Sequence, residues 1–515
     1  MSKKCEFFKD LKERRKKKDK EMKNIFTEER PIKETKLHHA LITFLILVGV
    51  MATGIKVFEV DPHIPMFIGV IAAAVMAMFL GYKWEDIEKM MVDGISKAMQ
   101  SILILAIVGM MIGTWVMSGT IPTMIYYGLK LLSPSFFLVA AVLICSITSL
   151  ATGTSWGTMG TMGLALIGIG QGLGMPVGPT AGAVICGAYF GDKLSPLSDT
   201  TNLAPAMAGT DVFTHVKYML KSTIIAYAIS IVFFAVYGFM HATSGNVDTS
   251  QATVLMEGIK DTFSINPLLL LPPLVVILSI AFKVPAIPGI TLGMLVAAIM
   301  APLFQGNLAV FDDSLELLHN GVNLGDLLSA ALGGFYCNTE IESLNDLLTT
   351  GGLMNMSSSI LMTIIAMMFG GIMEGSGQLA VIINAISSRI KSAAGMIGAT
   401  EATCILSNIV MPEQYISILI PGRMFAPAYR ERGIHPKSLS NALESAGTVT
   451  SALVPWNTCG LFIANTLGVT AAVYAPWAIF NYTMPLICFV LAFFGITATM
   501  MTPEEQAKAD AGELV

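Results

Sequence analysis

Gly191-Asp192-Lys193-Leu194-Ser195-Pro196-Leu197-Ser198-Asp199-Thr200-Thr201-Asn202 interrupts a run of apolar residues that is otherwise long enough to cross a bilayer. Pro196 lacks an N–H and disfavours helix at the residue before it, so the span breaks there. Two acids, a lysine and four hydroxyls then sit at membrane depth. Backbone groups freed by such a break are tolerated only where they are buried in protein or line a cavity. A charged carboxylate at that depth costs at least about 2.5 kcal/mol, which makes it a functional candidate by default. A broken span of this kind marks the ion or substrate site of a secondary carrier.

The rest of the 515 residues supports a membrane class. Hydrophobic residues make up 54% and charged residues 13%, with a mean hydropathy of +0.68, whereas a soluble chain carries about a quarter charged residues. The net charge of −5 is unevenly placed, since 14 of the 31 Lys and Arg fall in the first 36 residues. Residues 1–36 read as a basic cytoplasmic tail. A cleavable signal would need an apolar run directly after a short basic start, and a nucleic-acid-binding arm is not expected. The seven cysteines are scattered without metal-ligand spacing and read as reduced packing residues.

A repeat runs through the chain. Met110-Met111-Ile112-Gly113 recurs as Met367-Met368-Phe369-Gly370, 257 positions on. Cys145 and Cys404 lie 259 apart, Pro176 and Pro436 260, and Leu194–Thr200 parallels Leu453–Cys459 at 259. Ile64-Pro65 pairs with Ile287-Pro288 at 223, and 257 − 223 places an insertion of 34 residues within 305–341. Each half reads as three spans (40–57, 62–81, 98–118; then 266–282, 285–304, 358–376). A re-entrant hairpin follows, turning at Thr148–Ser155 or Ser407–Gln414. Then come a span broken at Pro196 or Pro455 and a closing span (215–242 or 475–501).

Five crossings per half invert the second half relative to the first. The expected protein is an all-α polytopic carrier of two inverted repeats, 37–242 and 266–501. An external linker at 243–265 joins them, and a cytoplasmic tail occupies 502–515. Basic residues fit this topology with both termini inside. None occurs from Val284 to Ser388, while Lys83, Lys89 and Arg430 fall in expected cytoplasmic loops.

The breaks gather the candidate site. A carboxylate in a dry site binds either a proton or a metal ion, the minimal chemistry of an antiporter, and Asp199, Asp192 and Glu413 are placed for it. Asp199 ranks first because it lies in the densest polar cluster. Its alternative is a salt bridge to Lys193 that only holds the broken helix, which weighs more for Asp192. Glu413 divides evenly between site residue and hairpin cap. Ser149, Thr154, Ser155, Ser198, Thr200, Thr201 and Asn202 in the first half supply oxygens of the kind a hard cation takes. Ser407, Asn408, Asn457 and Thr458 do so in the second. Lys193 and Arg423 either balance the acids or meet an anionic substrate. Glu401 also qualifies by position, while Glu374 and Glu444, near expected membrane edges, read as solvated faces.

Enzymatic readings fail on context. Gly153-Thr154-Ser155-Trp156-Gly157 fits the G-x-S-x-G pattern, which needs a strand-turn-helix setting and a partner His. All seven His lie at expected helix ends or loops. No Walker-type loop occurs, so transport is expected to run on ion gradients, with no cofactor.

Gly153–Thr158, Gly191–Thr201 and the region of Pro455-Trp456-Asn457 resemble the NhaC family of sodium/proton antiporters, over about residues 37–500. The resemblance implies an inner-membrane exchanger of Na+ for H+ with paired hairpins, broken helices, a dimerising scaffold and elevator-type motion. Ser407-Asn408 keeps part of that group's Ser-Asn-Thr-like turn, whereas Thr148-Ser149 lacks the Asn. The family also includes malate/lactate exchangers coupled to Na+ and H+. A coupled organic anion exchanger, with Lys193 or Arg423 meeting a carboxylate, is therefore the alternative. A membrane enzyme or a structural partner protein is the reading from another class. The implied partners are Na+, H+, small carboxylates, membrane lipid and a second copy of the chain, and no nucleic acid.

Overall fold

The computed structural model describes residues 32–243, 249–282, 284–387, 390 and 392–510. The tail expected at 1–36 lies almost wholly outside them, as do the last five residues. In chain order the first helices are α1 (Leu37–Lys56), α2 (His63–Leu80), α3 (Trp84–Lys97), α4 (Met99–Met117) and α5 (Thr120–Leu131). Next come α6 (Pro134–Thr152) and α7 (Ser155–Thr158), which runs through a π-turn at Met159–Gly163 into α8 (Leu164–Gly172). The first half ends with α9 (Val177–Leu194), α10 (Asp199–Ala208) and α11 (Val212–Thr243).

The second half continues with α12 (Thr249–Thr262), α13 (Leu271–Ala281) and α14 (Ala286–Phe304). Strands β1 (Ala309–Phe311) and β2 (Leu317–Asn320), then α15 (Leu324–Gly333) and α16 (Glu342–Leu348), precede α17 (Ser357–Gly375) and α18 (Gln378–Ser387). Next are α19 (Ala393–Val410), α20 (Gln414–Glu431) and α21 (Pro436–Leu443). A π-turn at Glu444–Thr448 leads to α22 (Val449–Ser451). The chain closes with α23 (Thr458–Leu467), α24 (Ala471–Tyr474), α25 (Ile479–Phe493) and α26 (Pro503–Asp510).

Among the described residues eight helices are long and apolar enough to cross a membrane, or ten if two bent helix pairs each count as one span. Their outward side chains are apolar, with Leu45, Val232 and Ile299 each at least 60% exposed. A water-facing surface does not sustain apolar cover of that extent. The protein is thus a mainly helical, multi-pass membrane protein. Most expected spans coincide with a helix to within a few residues. The closing span of the second half is shorter than expected, because α25 covers only 15 residues. The expected external linker is largely helix α12, which meets the next segment at a 103° bend.

The chain divides into two compact units. One holds residues 32–97 and 365–385; the other holds 98–364 and the residues from 386 onward. In the first unit the expected loop 83–97 is helix α3, which buries Ile87, Met91 and Gly94. A Cβ on Gly94 would lie 2.3 Å from the Met367 carbonyl, so glycine is what allows this approach. Thr43 Oγ1 donates to Gln378 Oε1 at 2.7 Å. Glu374 forms an ion pair with Lys97 and is partly exposed.

In the second unit the insertion is a small folded element. β1 and β2 form an antiparallel hairpin, and α15 packs on α4. Gly352 N donates to Gly109 O at 2.7 Å, and a Cβ on Gly113 would lie 2.2 Å from Ala330 O. Helices α6 and α9 also meet through glycine. Added Cβ atoms would come within 2.3 Å of Val142 O at Gly187 and 2.5 Å of Ser146 O at Gly191. This four-residue spacing of small residues is what close helix packing in lipid requires. The six described cysteines are buried and unpaired.

Candidate functional site

Both breaks of the first half belong to the second unit, and their local chemistry explains them. Helix α6 ends at Gly153, whose φ is +70°, a conformation that glycine adopts without strain. Thr154 then caps α7 by accepting from Gly157 N at 3.1 Å. Helix α9 ends at Leu194, and Ser198 caps α10 by accepting from Thr201 N at 3.4 Å. Ser195 Oγ donates to Leu150 O at 2.8 Å and ties the two breaks together. Trp156 stacks on Phe462 of α23, with centroids 4.3 Å apart.

Asp192 occupies the last turn of α9 and is 4% exposed. Its Oδ2 accepts from Ser155 N at 3.0 Å and from Ser155 Oγ at 2.6 Å. Hydrogen bonds to an ionised oxygen are about twice as strong as neutral ones, so this carboxylate is held in one orientation. Asp199 begins α10 and is exposed, with Tyr415 OH donating to its Oδ2 at 3.4 Å. Thr154, Ser155, Asp192, Ser198, Asp199 and Thr200 all line one cavity of about 480 Å³, to which Ser101, Gln414 and Tyr415 also contribute. Helix ends of opposite sign converge on it. The ends of α6 and α9 offer carbonyls, and the starts of α10 and α20 offer N–H groups. The arrangement can hold a cation at Asp192 and an anionic group at the helix starts.

Glu413 is fully buried and caps α20. Its Oε2 accepts from Tyr415 N at 2.7 Å, and its Oε1 accepts from Ser101 Oγ at 3.2 Å. It lies behind the cavity wall rather than on it. Asn408 Nδ2 donates to Gly447 O at 2.8 Å and to Thr450 Oγ1 at 3.1 Å. Asn457 caps α23 and donates to Asn408 O at 3.2 Å, and Thr458 Oγ1 donates to Asn457 Oδ1 at 3.4 Å. These second-half residues form a buried knot beside the cavity. Gln414 links the two, because its Oε1 accepts from Ser451 Oγ at 3.3 Å.

Several expectations are corrected. Ser149 and Ser407 lie inside helices α6 and α19 rather than in turns. Ser149 Oγ is taken up by Ala188 O at 2.6 Å, while Ser407 Oγ is buried without a partner. Thr201 Oγ1 donates to the carbonyls of Asp192 and Lys193, both at 3.1 Å, and so closes the helix end instead of facing the cavity. Asn202 is exposed and donates to Pro196 O at 2.9 Å. Lys193 makes no ion pair with either aspartate among the described residues. Its side chain leaves α9 on another face, fully buried, and donates to Ser445 Oγ at 3.1 Å and Met219 Sδ at 3.2 Å. Arg423 is exposed on α20, away from this set.

Glu444, read from sequence as solvated, is fully buried, and its Oε1 accepts from Thr200 Oγ1 at 3.1 Å. A signal for it exists. Asn441, Glu444, Ser445 and Thr448 recur at helical spacing and make one polar stripe in an apolar segment. His215 lies in the first turn of α11, at a helix end as expected, and is buried and bonded to Ser440 Oγ at 2.8 Å. Ser101 and Tyr415 carried no signal beyond being polar near a span end.

The repeat has structural counterparts. Ser149 bonds Ala188 O, and 259 positions further along Asn408 bonds Gly447 O. Ser155 bonds Asp192, and at the same offset Gln414 bonds Ser451. The caps Ser198 and Asn457 are likewise 259 apart.

The model of the Na+/H+ antiporter family matches residues 187–496. The Na+/H+ antiporter NhaC of Alkalihalophilus pseudofirmus is 36% identical over 464 residues, covering 90% of this chain and 97% of its own. The malate-2H+/Na+-lactate antiporter of Bacillus subtilis is 37% identical over 459 residues, covering 88% and 95%. The YdaH transporter of Alcanivorax borkumensis, a solved structure, aligns over 90% of this chain and 100% of its own, at 11% identity and a TM-score of 0.39.

Proposed function

This chain belongs to the Na+/H+ antiporter family, and on that footing we propose that it exchanges Na+ for H+ at the cavity between its broken helices. The observation that carries the reading is Asp192, a buried carboxylate held by Ser155 at the junction of two helix breaks. Na+ binds there with Asp192 as the anionic ligand, while the Ser198 and Thr200 hydroxyls and freed carbonyls complete an oxygen shell. A proton on the same carboxylate excludes the metal, so one site alternates between the two cargoes. Asp199 and Tyr415 sit at the cavity and receive the ion, and Glu413 fixes α20 behind it.

The two halves act as inverted repeats, a reading supported by the hydrogen bonds and caps that recur 259 positions apart. In this reading the hairpin-bearing part of the chain carries the ion across as an elevator. The transporter sits in the cell membrane as a homodimer with both termini in the cytoplasm.

A second reading, a Na+/H+-coupled organic anion exchanger, is favoured by the size of the cavity. A water molecule takes about 30 Å³, so about 480 Å³ leaves room for a small carboxylate beside an ion. Lys193 and Arg423 do not line the cavity, so the anion would meet the N–H groups at the starts of α10 and α20. Purified protein in sealed liposomes with an internal pH dye separates the readings. Proton flux on adding Na+ alone is the expected result. Flux that appears only with malate or lactate present would replace it with the second reading.

A further inference from the structure

The two halves place a group of three residues at matching helix ends. In the first half Ser155 begins α7, Asp192 lies in the last turn of α9, and Thr200 is the second residue of α10. Their counterparts, 259 positions on, are Gln414 at the start of α20, Ser451 at the end of α22 and Cys459 as the second residue of α23. Hydrogen bonds join members within each group. Ser155 Oγ donates to Asp192 Oδ2 at 2.6 Å. Gln414 Oε1 accepts from Cys459 Sγ at 2.9 Å and from Ser451 Oγ at 3.3 Å.

The chemistry of the two groups differs. The three charges of the first break have neutral counterparts, because Asp192, Lys193 and Asp199 correspond to Ser451, Ala452 and Thr458. A hard cation takes oxygen ligands, and in a dry site its charge must be offset by an anion. Ser155, Asp192 and Thr200 line the cavity and offer that set. In the second group a thiol stands where Thr200 has a hydroxyl, and thiols suit softer metals. Ser451 and Cys459 are fully buried, and the side-chain oxygen of Gln414 already accepts from both. Glu413 does not supply the missing anion. It corresponds to the cap Thr154, and its two oxygens accept from Tyr415 N and Ser101 Oγ.

We propose that the second group is an ion-free counterpart of the cation site, in which the Gln414 amide ties three helix ends without a bound cation. The chain therefore takes one Na+ at a time, although it carries the helix breaks for two.

This inference rests on the Na+ site at Asp192 and is tested by counting ions. Equilibrium binding of ²²Na+ to purified wild type in detergent is expected to saturate at one Na+ per chain along a simple hyperbola. Folded Asp192→Asn is expected to bind none, and Ser451→Ala to bind one at an unchanged half-saturating concentration. Two Na+ per chain in wild type, one of them surviving in Asp192→Asn, would overturn the ion-free counterpart and leave the cavity reading standing. Loss of binding in folded Ser451→Ala would overturn it as well. A wild type that binds no Na+ overturns both readings. The wild-type count needs no variant, so it decides the inference even where Asp192→Asn or Ser451→Ala does not fold.

Discussion

Asp192 and Ser155 make the smallest unit of the proposed mechanism, one carboxylate oxygen taking two hydrogen bonds from one residue. Removing the hydroxyl leaves the backbone donor in place. Ser155→Ala is therefore expected to weaken Na+ activation rather than abolish it. A hydrogen bond to a charged group contributes about 1.5–3 kcal/mol, so the Na+ concentration for half-maximal exchange should rise by about tenfold or more. An unchanged value would show that Ser155 does not shape the ion site. Asp199→Asn is expected to slow exchange while leaving some, because the exposed Asp199 receives the ion and does not hold it. Complete loss of exchange would make Asp199, not Asp192, the binding carboxylate. The sequence marked this cluster as the place where chemistry collects, but it could not rank its members. Asp192 and Lys193 are neighbours in the chain and adjoining charges suggest a pair. Successive residues on a helix point about 100° apart, so one faces the cavity and the other faces Ser445.

The helix breaks were legible because proline, glycine and capping residues are local signals. Thr154, Ser198, Glu413 and Asn457 each cap the helix that restarts after a break. The exact turning points were less legible, since Ser149 and Ser407 are polar yet helical. A serine can stay in a helix when it finds a carbonyl, and Ser149 finds Ala188 O on α9. Helices α6 and α9 approach through glycine. Gly187→Leu should force α6 and α9 apart, because even a Cβ would lie 2.3 Å from Val142 O. Overpacking of this kind costs about 1–3 kcal/mol or more, and a lower melting temperature in detergent is the expected readout. Equal stability would mean that α6 and α9 do not pack as described. The insertion at 305–341 could be sized from the repeat offset but not interpreted. Its docking on α4 depends on Gly113, which carries no charge to announce a partner.

Membrane orientation follows from the distribution of basic residues and not from any contact, so it is tested on intact cells. With Cys5→Ser to remove the tail thiol, Ser314→Cys in the insertion should react with a membrane-impermeant maleimide from outside. Lys83→Cys should react only after the cells are opened. The reverse pattern would invert the topology and place the basic loops outside. In the proposed account the buried carboxylate and the oxygen-lined cavity serve one activity, coupled movement of Na+ and H+ in opposite directions. Proteoliposomes loaded acidic inside and placed in external Na+ report that activity as dye alkalinisation together with ²²Na+ uptake. Wild type is expected to show both signals, and Asp192→Asn, checked for folding by its size-exclusion profile and melting temperature, neither. Folded Asp192→Asn protein that still takes up Na+ against outgoing protons would contradict the assignment of the ion site to the broken helices at Gly153 and Pro196.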